Sequence, residues 1–353
     1  QMVTGTDPFT FRLFDLILHL CAACLGMALL RWLVPGVPRH TEWLALLVFL
    51  VHPVCDEVVP FLGRRGFSLA LFFGLAALST SAREIRTLPA DRTPGGTYVS
   101  AVLCGLLAVA ALFSHEGAIV LVGLLPFVAL HVARDRGLPF RCWAGPALTV
   151  GALVVAALAW RHSVLGGLGV STIAPDATPS EGHGILGSTS GLLGLAAIGR
   201  NLGGAGQLLG WLVVAGAGFL AVRAVLLTVR GLGHSRERGL FLLGAWTIAA
   251  LLVTSTLGTG ALRHAYFALP PFALLLAISA GGARTEQGSS ESGGGLLGGL
   301  SRLSALLVVL VLFPLDVIQL HSMTPEENRD VFRAGAFFSE LKHLTAFVVV
   351  FLL

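Results

Sequence analysis

Four short polar clusters interrupt an otherwise apolar chain, and their residue types are those that handle phosphate. The first is His52-Pro53-Val54-Cys55-Asp56-Glu57-Val58-Val59, followed by Gly63-Arg64-Arg65. Arginine grips phosphate oxygens two at a time, and a carboxylate acts as a base or orients a donor. Asp56, Glu57, Arg64 and Arg65 can equally pair with one another, and the plainer reading is a loop whose charges end two helices. The second cluster, Ser114-His115-Glu116-Gly117, separates two apolar blocks. Ser and Gly suit a tight turn, yet His-Glu at such a boundary needs partners, which Arg64 or Arg65 would supply. The third, Arg161-His162, ends an apolar block, where snorkelling to the interface accounts for it. The fourth is Arg263-His264-Ala265-Tyr266, just beyond a block that ends near Leu257. An arginine there answers either an anionic ligand or Asp56 and Glu57.

The elements that must position these clusters are membrane helices. Of 353 residues, 55% are hydrophobic and only 12% charged, about half the charged fraction of soluble domains. Apolar residues run in blocks at about 13–34, 42–52, 66–81, 98–113, 117–133, 143–160, 206–229, 239–257, 266–281 and 303–320. A further segment lies near Ile185–Leu202. Blocks of this length fit the hydrocarbon core as helices, which satisfy their own backbone hydrogen bonds there. The second block is short for a span, and a kink at His52-Pro53 extends it. The expected fold is all-α, a bundle of about ten transmembrane helices. Ionisable groups at its boundaries are costly unless paired or functional.

The net charge of +4 is no nucleic-acid signature in such a chain. Lys342 is the only lysine, which reads mainly as the composition bias of a GC-rich bacterium. Cys21 and Cys24 have CxxC spacing but sit mid-helix without a second pair, so no spacing indicates a metal site.

Charge bias orients the bundle. Alternate connections carry Arg31 and Arg39; Arg83, Arg86 and Arg92; Arg134, Arg136 and Arg141; Arg223, Arg230, Arg236 and Arg238; then Arg284 and Arg302. This richer side is expected to be cytoplasmic. All four clusters, and the segment after residue 320, then face outside. The transmembrane unit is expected over 1–320, with an external loop at about 161–205 and a flexible cytoplasmic linker at about 281–299. Residues 321–353 read as the start of an external soluble segment, with Thr324 as cap and Pro325 opening a helix. The ends at Gln1 and in the apolar run Ala346–Leu353 suggest that material is missing at both.

The order of the clusters resembles that of the GT-C membrane glycosyltransferases, in particular the branch often fused to tetratricopeptide repeats. The residues that carry the resemblance are Asp7-Pro8-Phe9 with Arg12 and His19; His52-Pro53 with Glu57 and Val58; Gly63-Arg64; Ser114-His115-Glu116, where the family has Ser-Lys-Glu; and Arg263, Tyr266 and Pro270. They span roughly residues 5–275. The resemblance implies a polytopic protein of the bacterial inner membrane with its site on the periplasmic face. It implies transfer of a sugar from a polyprenyl-phosphate donor to a protein, lipid or glycan acceptor. Arg64, Arg65, Arg161, Arg263, His115 and Tyr266 would bind donor phosphate, Glu57, Asp56 and Glu116 would polarise the site, and His52 and His264 would border it. A divalent metal would be compatible with this chemistry. The family's acidic residue lies in the first external loop, upstream of Gln1. It is either in the missing material, where it would supply the base, or absent, and His115 replaces a permanent positive charge. A non-catalytic subunit of a larger membrane complex is therefore the second reading. A lipid-linked-sugar transporter is the third, disfavoured because no inverted repeat is visible.

Overall fold

The computed structural model describes residues 8–56, 58–59, 64–88, 97–165, 235–256 and 262–281. All secondary structure among them is helical. In chain order it comprises α1 (Pro8–Leu33), α2 (Arg39–Val51), the short α3 (Pro53–Asp56), α4 (Arg65–Thr87), α5 (Thr97–Ser114), a 3-10 turn (Glu116–Ala118), α6 (Ile119–Asp135) and α7 (Phe140–Leu165). It continues with α8 (Ser235–Thr256), a second 3-10 segment (Leu262–Phe267) and α9 (Leu269–Gly281). Four stretches are long and apolar enough to cross a membrane: Leu13–Leu33, Arg65–Thr87, Glu116–Asp135 and Trp143–Val164. The described residues are thus all helical, with four helices of a length and composition that suit a membrane protein.

Eight of the apolar blocks coincide with helices. Those at 206–229 and 303–320 lie outside the described residues, as do the segment at 185–202, the linker at 281–299 and the stretch 321–353. Helix α7 continues to Leu165, so the expected loop begins later than residue 161. The break at His52 is real. Its backbone is extended (φ −70°, ψ 132°), as a residue before proline must be, and Pro53 starts α3 where no amide hydrogen is required.

Helix α4 is the centre of the bundle, packing along α1, α5 and α6. Its Leu71, Leu75 and Leu78 are fully buried and recur at helical spacing. Gly74 lets α6 approach, since a Cβ there would collide with Leu121. Helix α2 packs on α9, and α8 on α6 and α9.

Turn chemistry separates the two ends of the bundle. Gly36 and Gly137 take positive φ, 76° and 63°, in the turns after α1 and α6, a conformation that glycine adopts without strain. At that end Arg31 holds Glu42 through two hydrogen bonds of 2.9 and 2.8 Å. Arg86 pairs with Asp135, and Arg136 Nη2 donates to the Leu88 carbonyl at 3.1 Å. These arginines come from the connections that the charge pattern grouped on one side.

Candidate functional site

The four clusters meet at the opposite end. The 3-10 segment Leu262–Phe267 contacts α3 and the turn Glu116–Ala118, and that turn also contacts the start of α4. Helix α7 closes the group from the side, because Arg161 reaches Glu116.

The tight apposition has a local cause. A Cβ on Gly66 would stand 2.7 Å from the Ser114 carbonyl oxygen, so glycine alone lets the start of α4 abut the end of α5. Ser114 Oγ donates to the Ala110 carbonyl at 2.8 Å. His115 then caps the next turn, its Nδ1 accepting from the Gly117 amide at 3.0 Å. The His115 ring lies against Phe67, with centroids 3.8 Å apart, and near Phe267 at 5.6 Å. The turn reading of this cluster therefore holds.

Charge pairing reaches beyond the clusters. Arg65 reaches Asp15 of α1, at 2.8 Å from Nε to Oδ1 and 3.2 Å from Nη2 to Oδ2. Nη2 also donates to the Phe11 carbonyl, and the guanidinium carbon stands 5.0 Å from the Phe11 ring centroid. Asp15 is 1% exposed and Arg65 27%. A carboxylate so buried within an apolar helix needs such a partner.

Glu116 pairs with Arg161, not with Arg64 or Arg65, at 3.8 Å. Arg161 does not snorkel. It turns into the bundle, is 11% exposed and donates from Nη1 to the Leu112 carbonyl at 2.7 Å. Its neighbour His162 is exposed.

Tyr266 is wholly buried. Its hydroxyl and His19 Nδ1 share a hydrogen bond of 2.8 Å, and His19 stacks on Phe49 at 4.6 Å. His52 is buried too. Its Nδ1 accepts from the Val54 amide at 3.2 Å, and Phe272 meets it edge-on. Arg64 precedes α4 as its N-cap residue.

Asp56 closes α3, and Arg263 and His264 lie in the second 3-10 segment, whose backbone contacts α3. The side chains of these three, and the whole of Glu57, lie outside what the structure describes. Among the described residues no three His, Cys, Asp or Glu side chains gather as a metal site.

Asp15 is not among the candidate site residues that the sequence suggests, and His19 enters there only through the resemblance. The signal for them is their spacing: two ionisable residues four apart, on one face of a block otherwise apolar from Leu13 to Leu30. Chemically, the end of the bundle offers two partly accessible arginines, a partly accessible carboxylate in Glu116, and a buried histidine–tyrosine pair behind them. Such a set suits an anion at the membrane surface.

No protein-family model matches the chain, and neither a curated protein nor a solved structure does.

Proposed function

We propose that the chain is a membrane glycosyltransferase of GT-C type, taking a sugar from a polyprenyl-phosphate donor at the end of the bundle where the four clusters meet. The observation that supports this reading is their convergence. Residues 53–56, 64–65, 114–117 and 262–267 are far apart in sequence yet occupy contiguous elements, with Arg161 joined to them through Glu116. Arg161, Arg263 and Arg64 bind the donor phosphate, and Glu57, Asp56 and Glu116 orient or polarise the site. The acceptor oxygen attacks the anomeric carbon as a carboxylate takes its proton. The bond from that carbon to the phosphate oxygen breaks, and polyprenyl phosphate leaves with the electron pair. The positive-inside bias supports a periplasmic location for this end, with the arginine-rich end facing the cytoplasm.

A second reading, a non-catalytic subunit built on the same kind of bundle, has its own support. Arg65 is engaged by Asp15, Arg161 by Leu112 and Glu116, and Tyr266 by His19. Each residue thus has a structural role already.

Arg263→Ala separates the two readings. With purified protein, a polyprenyl-phosphate sugar and a hydroxyl acceptor, the enzyme reading expects wild-type transfer and a loss of at least ~100-fold in the variant, with thermal stability unchanged. No transfer by wild type, together with stable co-purification of partner proteins, supports the subunit reading instead.

A further inference from the structure

We propose that the crevice between α6 and α7 holds one acyl chain of an anionic bilayer phospholipid, with the lipid phosphate at Arg136. The mouth that would hold the phosphate lies at the end of the bundle opposite the four clusters, and the site does not depend on sugar transfer.

The crevice follows from how the helices pair. Helix α7 packs along α5 and α6 along α4, while α6 and α7 touch each other only sparingly. Between them is an apolar cleft of about 350 Å³, walled by Ile119, Gly123 and Pro126 of α6 and by Ala147, Gly151 and Val155 of α7. Ser81, Cys104 and Ala129 line it and also line a smaller pocket that reaches Leu88 and Trp143. The two form one crevice running along α7 from Trp143 to Val155. At 1.5 Å per residue that is about 18 Å, a little over half of the ~30 Å hydrocarbon core. It is the depth of one leaflet.

The walls leave space where a side chain would fill it. A Cβ on Gly123 or on Gly151 would meet no atom within 4 Å. The residues at the opening are apolar and exposed, Ile119 by 42% and Val155 by 65%. In helices that cross a bilayer this opening meets hydrocarbon, so its occupant is a hydrocarbon chain and not water.

Charge selects the headgroup. Leu88 lies at the far mouth of the crevice, and its carbonyl accepts from Arg136 Nη2 at 3.1 Å. Arg136 is exposed, and a guanidinium has five donors, so it can hold Leu88 and still meet a phosphate. Arg83 is exposed at the same end. Glu84 lines the mouth and opposes them with a single negative charge. Trp143 lines it as well, with the amphipathic ring that favours the headgroup level. A basic pocket between membrane helices is a recognised fit for anionic headgroups.

The full chain in detergent tests this by native mass spectrometry with phosphatidylglycerol or phosphatidylcholine of the same acyl chains. Wild type should retain one phosphatidylglycerol at least ~10-fold more tightly than phosphatidylcholine. Gly123→Leu with Gly151→Leu should lower retention of both lipids by at least ~10-fold, and Arg136→Ala should remove the preference between them. No retained lipid in wild type, or equal retention in the plugged variant, overturns the proposal. Should the plugged variant fail to fold, a benzophenone amino acid in place of Val155 decides. A cross-link to lipid supports the proposal, and a cross-link to another segment of this chain overturns it.

Discussion

Asp15 of α1 and Arg65 of α4 face each other through two hydrogen bonds, 2.8 and 3.2 Å, with the carboxylate almost wholly buried. Fifty positions apart in sequence, they tie the start of the first helix to the start of the central one. Removing one member leaves a buried charge without its partner. Arg65→Met should therefore destabilise the protein by about 3–5 kcal/mol, seen as a lower unfolding temperature in detergent. Asp15→Leu combined with Arg65→Met should recover most of that loss. If Arg65→Met left stability intact and abolished only ligand binding, the arginine would belong to the ligand and not to the helix pair.

Gly66 sets how closely α4 meets the turn after α5. A methyl group there would press on the Ser114 carbonyl, and overpacking of this kind costs about 1–3 kcal/mol. Gly66→Ala should lower stability by that amount and raise hydrogen exchange at Gly117, whose amide is capped by His115. Unchanged exchange and stability would mean that the two segments can separate freely.

Tyr266→Phe deletes the hydroxyl that meets His19 while keeping the ring beside Phe49. The expected loss is about 1–3 kcal/mol, because His19 Nδ1 stays buried without this contact. His19→Phe in the same background should restore part of it, since two apolar groups replace a broken polar pair. A Tyr266→Phe variant as stable as wild type would contradict the pairing.

How much of this could be read in the sequence depended on whether the signal was local. The apolar blocks gave the helices, and Pro53 gave the break at His52, because both follow from residues next to each other. The partners of the charged residues could not be read so. Arg65 chooses Asp15, and Arg161 chooses Glu116 and the Leu112 carbonyl, across contacts set by helix packing. Blocks that are apolar on every side carry little periodicity to say which face meets which neighbour. The glycines that decide the close approaches, Gly66 and Gly74, look like any others in a chain with 44 of them. The grouping of the four clusters was legible because helices that alternate in direction return to the same side.

Arg161 has two structural contacts and a proposed ligand, and substitution separates them. Arg161→Lys keeps a charge near Glu116 but loses the planar fork that reaches Leu112 as well. It should keep most of the stability and still lower phosphate affinity by about tenfold. Equal affinity for wild type and Arg161→Lys would remove this arginine from the phosphate site.

The most direct test is whether the converging clusters form one phosphate site. Binding of polyprenyl phosphate to the full chain in nanodiscs is measured for wild type, Arg161→Ala, Arg263→Ala and the double variant. Each single change should weaken binding by at least ~10-fold, and the double variant should lose less than the product of the two, as residues sharing one ligand do. No binding by wild type, or affinities untouched by both substitutions, would contradict the account.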